Sequence, residues 1–247
     1  MHLEYIASKM DNSTRRLQLF IQRLALMSRS FNGSPEFVER IHAAVKNFDL
    51  KVLHDFLPNR LSLAVTSIVK STSTGIHYAD IYKDDDFHVN SFGLATPGLK
   101  IPLHDHPNQY AVMKVFQGSV KIHSFSFLNC SEDGGDENNA ISSAGTCILL
   151  KVRYEGETIL SSRSDMHSTV LGPKKGNIHE VTALEPHTYF CDFFFLNSPN
   201  CNYYRVQQRE PLLAGETVLL QQIRCPREFF CENMDYFPRF IPFDFDE

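Results

Sequence analysis

Gly98-Leu99-Lys100-Ile101-Pro102-Leu103-His104-Asp105-His106-Pro107-Asn108-Gln109-Tyr110-Ala111-Val112-Met113-Lys114-Val115-Phe116-Gln117-Gly118 is the stretch whose reading decides the fold. His104 and His106 stand one residue apart. An apolar approach (Leu99, Ile101, Leu103) precedes them, and a strand-like run ending in Gly118 follows. On a strand, residues i and i+2 point to the same face. The spacing therefore places both imidazoles together and turns Asp105 away. Two adjacent imidazoles begin a metal site, and a third ligand has to come from elsewhere in the chain.

Outside this stretch the composition narrows the class. Twenty Phe and nine Tyr with no Trp, in a chain of 247 residues that is 43% hydrophobic, favour a sheet-rich interior. A formal charge of −5 without a dense Lys/Arg cluster argues against a nucleic-acid partner. No window approaches the roughly 20 apolar residues of a membrane span, and the N-terminus lacks the apolar core of a signal peptide. These features lead us to expect a soluble intracellular protein of the cytoplasm, with the nucleus left open, acting as a monomer. The six cysteines (Cys130, Cys147, Cys191, Cys201, Cys225, Cys231) form no Cys-x-x-Cys pair. In that compartment they read as free thiols.

In chain order, residues 1–57 read helical. Asn12-Ser13-Thr14 offers an N-cap, and Leu17, Ile21 and Leu24 recur at helical spacing. Ser34-Pro35 opens a second helix with the stripe Phe37/Val38, Ile41, Val45 and Phe48, and a third segment runs from Leu50 to Leu57. A Ser/Thr-rich connector follows to residue 75. We therefore divide the chain into a helical segment with its connector, 1–75, and a β domain, 76–247. Tyr78–Tyr82 and Phe87–Leu94 read as strands around the acidic turn Lys83-Asp84-Asp85-Asp86, whose spacing is not that of a calcium loop. Further strands are expected at Ser119–Phe127, Cys147–Val152, Met166–Leu171, Ile178–Ala183, Tyr189–Leu196, Tyr203–Gln207 and Thr217–Ile223, with an acidic loop over 129–143 and an irregular tail from Cys225. Many short strands with turns between them favour a closed or double-sheet architecture.

The third histidine is His179, at the start of the strand that follows the Gly176 turn. Together with Gly98-x5-His104-x-His106 and Gly118, it resembles the cupin pattern, which implies a jelly-roll barrel, a double-stranded β-helix. Cupins carry a Glu ligand shortly after the second histidine; here the matching position is Ala111, and no carboxylate lies between His106 and Gly118. Three neutral imidazoles leave a divalent ion its full charge and half of an octahedral shell open. Such a site can take an anionic bidentate substrate, a thiolate with a neighbouring amine, and O₂ as a further ligand. Imidazole suits Fe, Zn, Cu and Ni alike. A redox-inert zinc or nickel isomerase or hydrolase therefore stays open, as does a non-catalytic cupin that binds a partner. His42, His54, His88, His123, His167 and His187 read as packing or surface residues.

The resemblance becomes closer than cupin. Ile101-Pro102-Leu103-His104-Asp105-His106-Pro107, Met113-Lys114-Val115 to Gly118, Asn177-Ile178-His179, Phe190-Cys191-Asp192, Cys201-Asn202-Tyr203-Tyr204-Arg205 and the tail Cys225-Pro226 to Glu232 with Tyr236 resemble the cysteamine (2-aminoethanethiol) dioxygenase and plant cysteine oxidase family. The resemblance runs from about Tyr78 to Tyr236. It implies a non-haem enzyme with one Fe(II) per chain, held by His104, His106 and His179, that adds both atoms of O₂ to a thiol sulfur. It implies cysteamine, giving hypotaurine, or proteins with an N-terminal cysteine as substrates. Oxidation of that cysteine feeds the arginine branch of the N-degron pathway and makes such an enzyme an oxygen sensor. Asp192 matches an acidic residue near the iron that orients a ligand histidine or the substrate. Cys201 and Tyr203 match a pair that can form a thioether cross-link in the animal enzymes; the same pair reads equally as a buried Cys beside a core Tyr. One departure stands out. After Asp192 the family has a longer loop whose Tyr reaches toward the site, whereas this chain has Phe193-Phe194-Phe195-Leu196-Asn197-Ser198-Pro199-Asn200.

Overall fold

In the computed structural model, the residues described are 12–57, 74–128, 140–143, 147–196, 200–208, 211–234 and 239–240. Helix α1 spans Asn12–Ser28 and α2 spans Pro35–Asn47, followed by a short 3-10 helix, Leu50–Phe56. Thirteen strands follow among these residues: β1 Ile76–Lys83, β2 Phe87–Leu94, β3 Lys100–His104, β4 Tyr110–Gln117, β5 Ser119–Phe127, β6 Ala140–Ser143, β7 Cys147–Ser161, β8 Ser168–Leu171, β9 Ile178–Ala183, β10 Thr188–Phe195, β11 Tyr203–Val206, β12 Thr217–Ile223 and β13 Glu232–Asn233. One sheet runs β13-β1-β2-β10-β4-β8. The other runs β12-β11-β3-β9-β5-β7-β6, and β12 also pairs back onto β7. Between β3 and β11 the chain passes repeatedly from one sheet to the other, which is the course of a double-stranded β-helix. The fold is mainly β and cupin-like, as the sequence leads one to expect.

The strand β10 shows how the sequence builds the layers. All eight of its residues are buried. Tyr189, Cys191, Phe193 and Phe195 face outward into a core shared with Leu17, Ile21 and Leu24 of α1 and Ile41 and Val45 of α2. Phe190, Asp192 and Phe194 face inward and line a cavity. A strand buried on both faces reads as a near-continuous apolar run, and Thr188-Tyr-Phe-Cys-Asp-Phe-Phe-Phe195 fits that except at Asp192. Helices and sheet therefore share one core. Phe20 stacks on Phe48 at 3.8 Å between ring centroids and meets Phe193 edge-on at 6.2 Å. The turn after β4 requires its glycine: Gly118 has φ +73°, and a Cβ there would lie 2.4 Å from Thr188 Oγ1.

The structure corrects several boundaries. Asn12, Ser13 and Thr14, read as an N-cap, are helical residues within α1. Ser34 does cap α2, its hydroxyl accepting from Phe37 N at 3.3 Å, with Pro35 in the first turn. The strand β7 is 15 residues long and continues nine past Val152. Its second half alternates charged residues with Tyr154 and Leu160, and the extra residue at Glu155–Gly156, where the β5 register shifts, hides the period. The strand β6 falls within the stretch read as an acidic loop, of which 129–139 lie outside the described residues, as does most of the 58–75 connector. The tail is not wholly irregular either: β13 pairs in parallel with β1, His77 opposite Glu232. The acidic turn is a hairpin, with Asp84 Oδ1 accepting from Asp86 N and Phe87 N.

Polar contacts pin the helices to the barrel. Lys114 of β4 is 6% exposed and donates Nζ to Val45 O and Lys46 O at 2.9 Å each and to Phe48 O. A cation thus satisfies the last carbonyls of α2, where the helix dipole favours it. His167 Nε2 also meets Lys46 O, His42 meets Ser168 Oγ, and His54 meets Phe116 O. These histidines are packing residues, as expected, and each has a specific partner. Lys114→Met keeps the stem and removes three charge-assisted bonds. We expect it to lower unfolding stability by about 1–3 kcal/mol in equilibrium denaturation; an unchanged midpoint would show that the cap contributes nothing.

Candidate metal centre

His104 ends β3, His106 follows it by two residues, and His179 is the second residue of β9. In the antiparallel β3–β9 ladder His104 stands directly opposite His179. One potential ligand atom from each of the three rings lies within 4.8 Å of the other two. His104 Nε2 and His106 Nε2 are 3.0 Å apart. His104 Nδ1 is 2.7 Å from Pro102 O, and His179 Nδ1 is 2.8 Å from Asn177 O. A carbonyl only accepts, so both Nδ1 atoms carry the proton and both Nε2 atoms present a lone pair. Burial lowers all three pKa values, with His179 pushed down to about 3 and His106 lowered further by the other two rings. The trio is therefore neutral at pH 7, the state in which imidazole ligates a metal.

Asn177 positions two of these rings. It is 1% exposed. Its Oδ1 accepts from His106 N at 2.9 Å, its Nδ2 donates back to His106 O at 2.9 Å and to Gly172 O, and its own carbonyl takes the His179 Nδ1 proton. Reading the sequence gave Asn177 no role, although its place two residues before His179 was the available signal. Asp105, which the strand period turns away from the site, is buried at 3% exposure and clamps β11. It accepts from Asn202 N at 2.9 Å, from Asn202 Nδ2 at 3.1 Å and from the Tyr204 hydroxyl at 2.7 Å, and its N donates to Asn202 O. Period two then turns Cys201 and Tyr203 the other way, into the cavity.

The cavity is about 320 Å³ and is lined by all three histidines, Tyr78, His88, Asn90, Asp192, Phe194, Cys201, Tyr203 and Phe229 among others. Tyr203 lies 6.2 Å from His104 and 6.1 Å from Phe229, ring to ring. Cys201 is an exposed residue rather than the buried one of the alternative reading. Desolvation, ahead of the Asp105 charge, still pushes its thiol up to about 12, so it is not a thiolate at pH 7. Burial, ahead of the influence of Cys201 and Cys225, pushes the Tyr203 hydroxyl above its usual range. Cys191, Cys201, Cys225 and Cys231 are free thiols. In the shorter run after Asp192, Asn197 and Ser198 lie outside the described residues, while Asn200 and, beyond it, Tyr203 line the cavity.

Two further residues face the same cavity. His88, read as packing or surface, lines the cavity, bonds Asp80 Oδ1 at 2.8 Å and stacks 5.8 Å from Phe194. Among the described residues no hydrogen bond joins Asp192 to any ligand histidine; backbone carbonyls orient His104 and His179 instead. The place of the cupin carboxylate is apolar. Ala111 packs with Leu171 and Phe194, and the Phe194 ring lies 4.6 Å from His106. Among the described residues no carboxylate joins the three-histidine cluster, and the donor set fits a divalent ion of the kind imidazole binds.

Residues 41–239 match the family model described as PCO_ADO. The 2-aminoethanethiol dioxygenase of Homo sapiens is 28% identical over 184 residues, 65% of this chain and 66% of that protein. The Mus musculus protein of the same name is 26% identical over 189 residues, 68% and 72% of the two chains. The match thus spans about two thirds of the human relative's length. Among solved structures, KdgF from Halomonas sp. is 17% identical at a TM-score of 0.34, over 53% of this chain and 86% of that one. A score that low carries no argument.

Burial alone raises the Asp192 carboxyl from 3.8 to about 7. Between those values the folded chain binds a proton that the unfolded chain does not, so this group's contribution to stability falls as pH rises from about 4 to about 7. Asp192→Asn removes that dependence. Thermal melts of the metal-free protein should show the variant gaining on wild type between pH 5 and pH 8; a difference constant with pH would contradict a buried, unpaired carboxyl.

Proposed function

Since the chain belongs to the PCO_ADO family, the cysteamine dioxygenase and plant cysteine oxidase family that its motifs resemble, we propose that it is a thiol dioxygenase that uses one Fe(II) per chain to convert a thiol to a sulfinate. The observation that supports this most is the donor set: three neutral imidazoles converge, and Ala111 and Phe194 fill the place of a fourth, anionic ligand. When bound, Fe(II) supplies the redox chemistry with O₂ and an attachment point for a thiolate. The chain supplies the rest. Pro102 O and Asn177 O fix the ring tautomers, Asn177 and Asp105 hold the His106 loop, and Phe190, Phe194 and Phe229 give the cavity an apolar wall that limits water.

The substrates proposed are cysteamine, as the relatives' printed name suggests, and proteins with an N-terminal cysteine, for which an open cavity mouth is needed. In the latter case the enzyme acts as an oxygen sensor feeding the arginine N-degron pathway, as a cytoplasmic monomer. No described helix is long and apolar enough to cross a membrane. Cys201 and Tyr203 are proposed to shape the metal pocket, joined or unjoined by a thioether, and Asp192 to face the substrate. A redox-inert zinc or nickel site would keep the same ligands and oxidise nothing.

The test is anaerobic loading with Fe(II), then O₂ with cysteamine or a Cys-initiated peptide, read by mass spectrometry. We expect a gain of two oxygen atoms on sulfur, and a loss of more than about 100-fold in His104→Ala or His179→Ala, because removing a ligand costs more than removing its supporting partner. Normal turnover in either variant, or disulfide as the sole product, would overturn the assignment.

A further inference from the structure

Across the first sheet, Asp80 of β1, Asn90 of β2 and Asp192 of β10 stand opposite one another in register. Residues paired across antiparallel strands share a face, and Asn90 and Asp192 both line the cavity. The polar groups around Asn90 fix how its amide is turned. The Tyr78 hydroxyl donates to Asp80 Oδ1 at 2.5 Å, and His88 Nε2 meets the same oxygen at 2.8 Å. The proton of Tyr78 is then committed, so toward the Asn90 side chain that faces it the hydroxyl can only accept. Asn90 therefore turns its NH₂ to Tyr78 and its oxygen away.

That oxygen is an orphan. Asn90 is 5% exposed, and its Oδ1 is buried without a hydrogen-bond donor. Beside it, Asp192 is buried, and among the described residues it has no hydrogen bond and no cation acts on it. Lys83, which also lines the cavity, acts on Asp80 and His88 instead. A buried acceptor without a donor costs on the order of 1–3 kcal/mol, and a charged one more. Two such acceptors side by side, on residues that line the cavity and backed by a saturated network, call for a ligand that brings several N–H donors and a positive charge. The pair also lies near the metal centre: Phe194, two residues and about 7 Å along β10 from Asp192, is the residue that contacts His106.

We propose that Asn90 and Asp192 form a seat for a primary ammonium group, so that an aminothiol lies with its thiol toward the three histidines and its ammonium on this pair. The inference rests on the thiol-oxidising reading for the identity of the substrate, but not for the seat itself. It gives the amine a protein partner in place of the bidentate metal contact expected from the sequence, and leaves that metal position to another ligand. It also assigns a selectivity: thiols with a nearby amine are favoured over thiols without one. The rival arrangement is a protonated Asp192 that donates to Asn90 Oδ1, which would satisfy both groups with no ligand.

Two measurements on the full chain test it. In the first, ethylammonium chloride is titrated calorimetrically into the metal-free protein, with sodium chloride as the control. Wild type should give saturable heat that is lost in Asn90→Leu and in Asp192→Asn. An identical response in all three, or no heat in wild type, overturns the seat and favours the shared proton. In the second, the Fe(II)-loaded protein is given cysteamine or ethanethiol. The ratio of kcat/KM values should favour cysteamine and fall at least ten-fold in Asn90→Leu; an unchanged ratio overturns the seat. Asn90→Ser serves if the Leu variant melts early. Wild type that binds ethylammonium but oxidises neither thiol keeps the seat and removes the dioxygenase reading. Wild type that oxidises both thiols equally without binding ethylammonium does the reverse.

Discussion

The pairing of β3 with β9 is the constraint on which the site depends. It sets His104 opposite His179, so two ligands from distant parts of the sequence meet through a backbone ladder rather than through flexible loops. A one-residue slip of either strand would turn its histidine to the other face. Register here is over-determined. Asn177 ties the His106 backbone to the start of β9 through a reciprocal pair of bonds. Asp105 ties the residue between the two histidines to β11. Both clamps are buried and charge-assisted or bidentate, the arrangement in which a hydrogen bond contributes most to fixing geometry.

The same period of two separates scaffolding from chemistry along each strand. In His104-Asp105-His106 the outer residues face the cavity and the middle one holds the frame. In Cys201-Asn202-Tyr203-Tyr204, Asn202 and Tyr204 reach Asp105 while Cys201 and Tyr203 line the cavity. In β10, Phe193 and Phe195 enter the core under the helices while Asp192 and Phe194 face the site. The N-terminal helices thus brace a strand that carries part of the cavity wall, and Lys114 fastens the end of α2 to the next strand over.

Much of this was legible in the sequence because period and spacing encode it. His104-x-His106 needs only the two-residue repeat, and His179 is marked by the Gly176 turn before it. Ala111 was readable as an absent carboxylate, but not as packing: only the fold shows Phe194 against His106 beside it. The clamping by Asn177 and Asp105 has no signature in the sequence, because hydrogen bonds between residues 71 to 99 positions apart leave no local pattern. The row Asp80–Asn90–Asp192 was hidden for the same reason. Its members sit on three strands, and their relation is a register. The strand β7 was cut short because charged outward residues and a bulge at Gly156 break the apolar alternation.

The central claim is that three imidazoles, without a carboxylate, hold a metal that keeps open positions for a thiolate. X-ray absorption at the iron edge, on protein loaded anaerobically with Fe(II) before and after addition of cysteamine, addresses it directly. The account predicts three imidazole ligands with only light atoms completing the shell at first, then a sulfur neighbour once the thiol is added. A spectrum that never acquires sulfur, or one that requires a carboxylate of the protein in the shell, would contradict it.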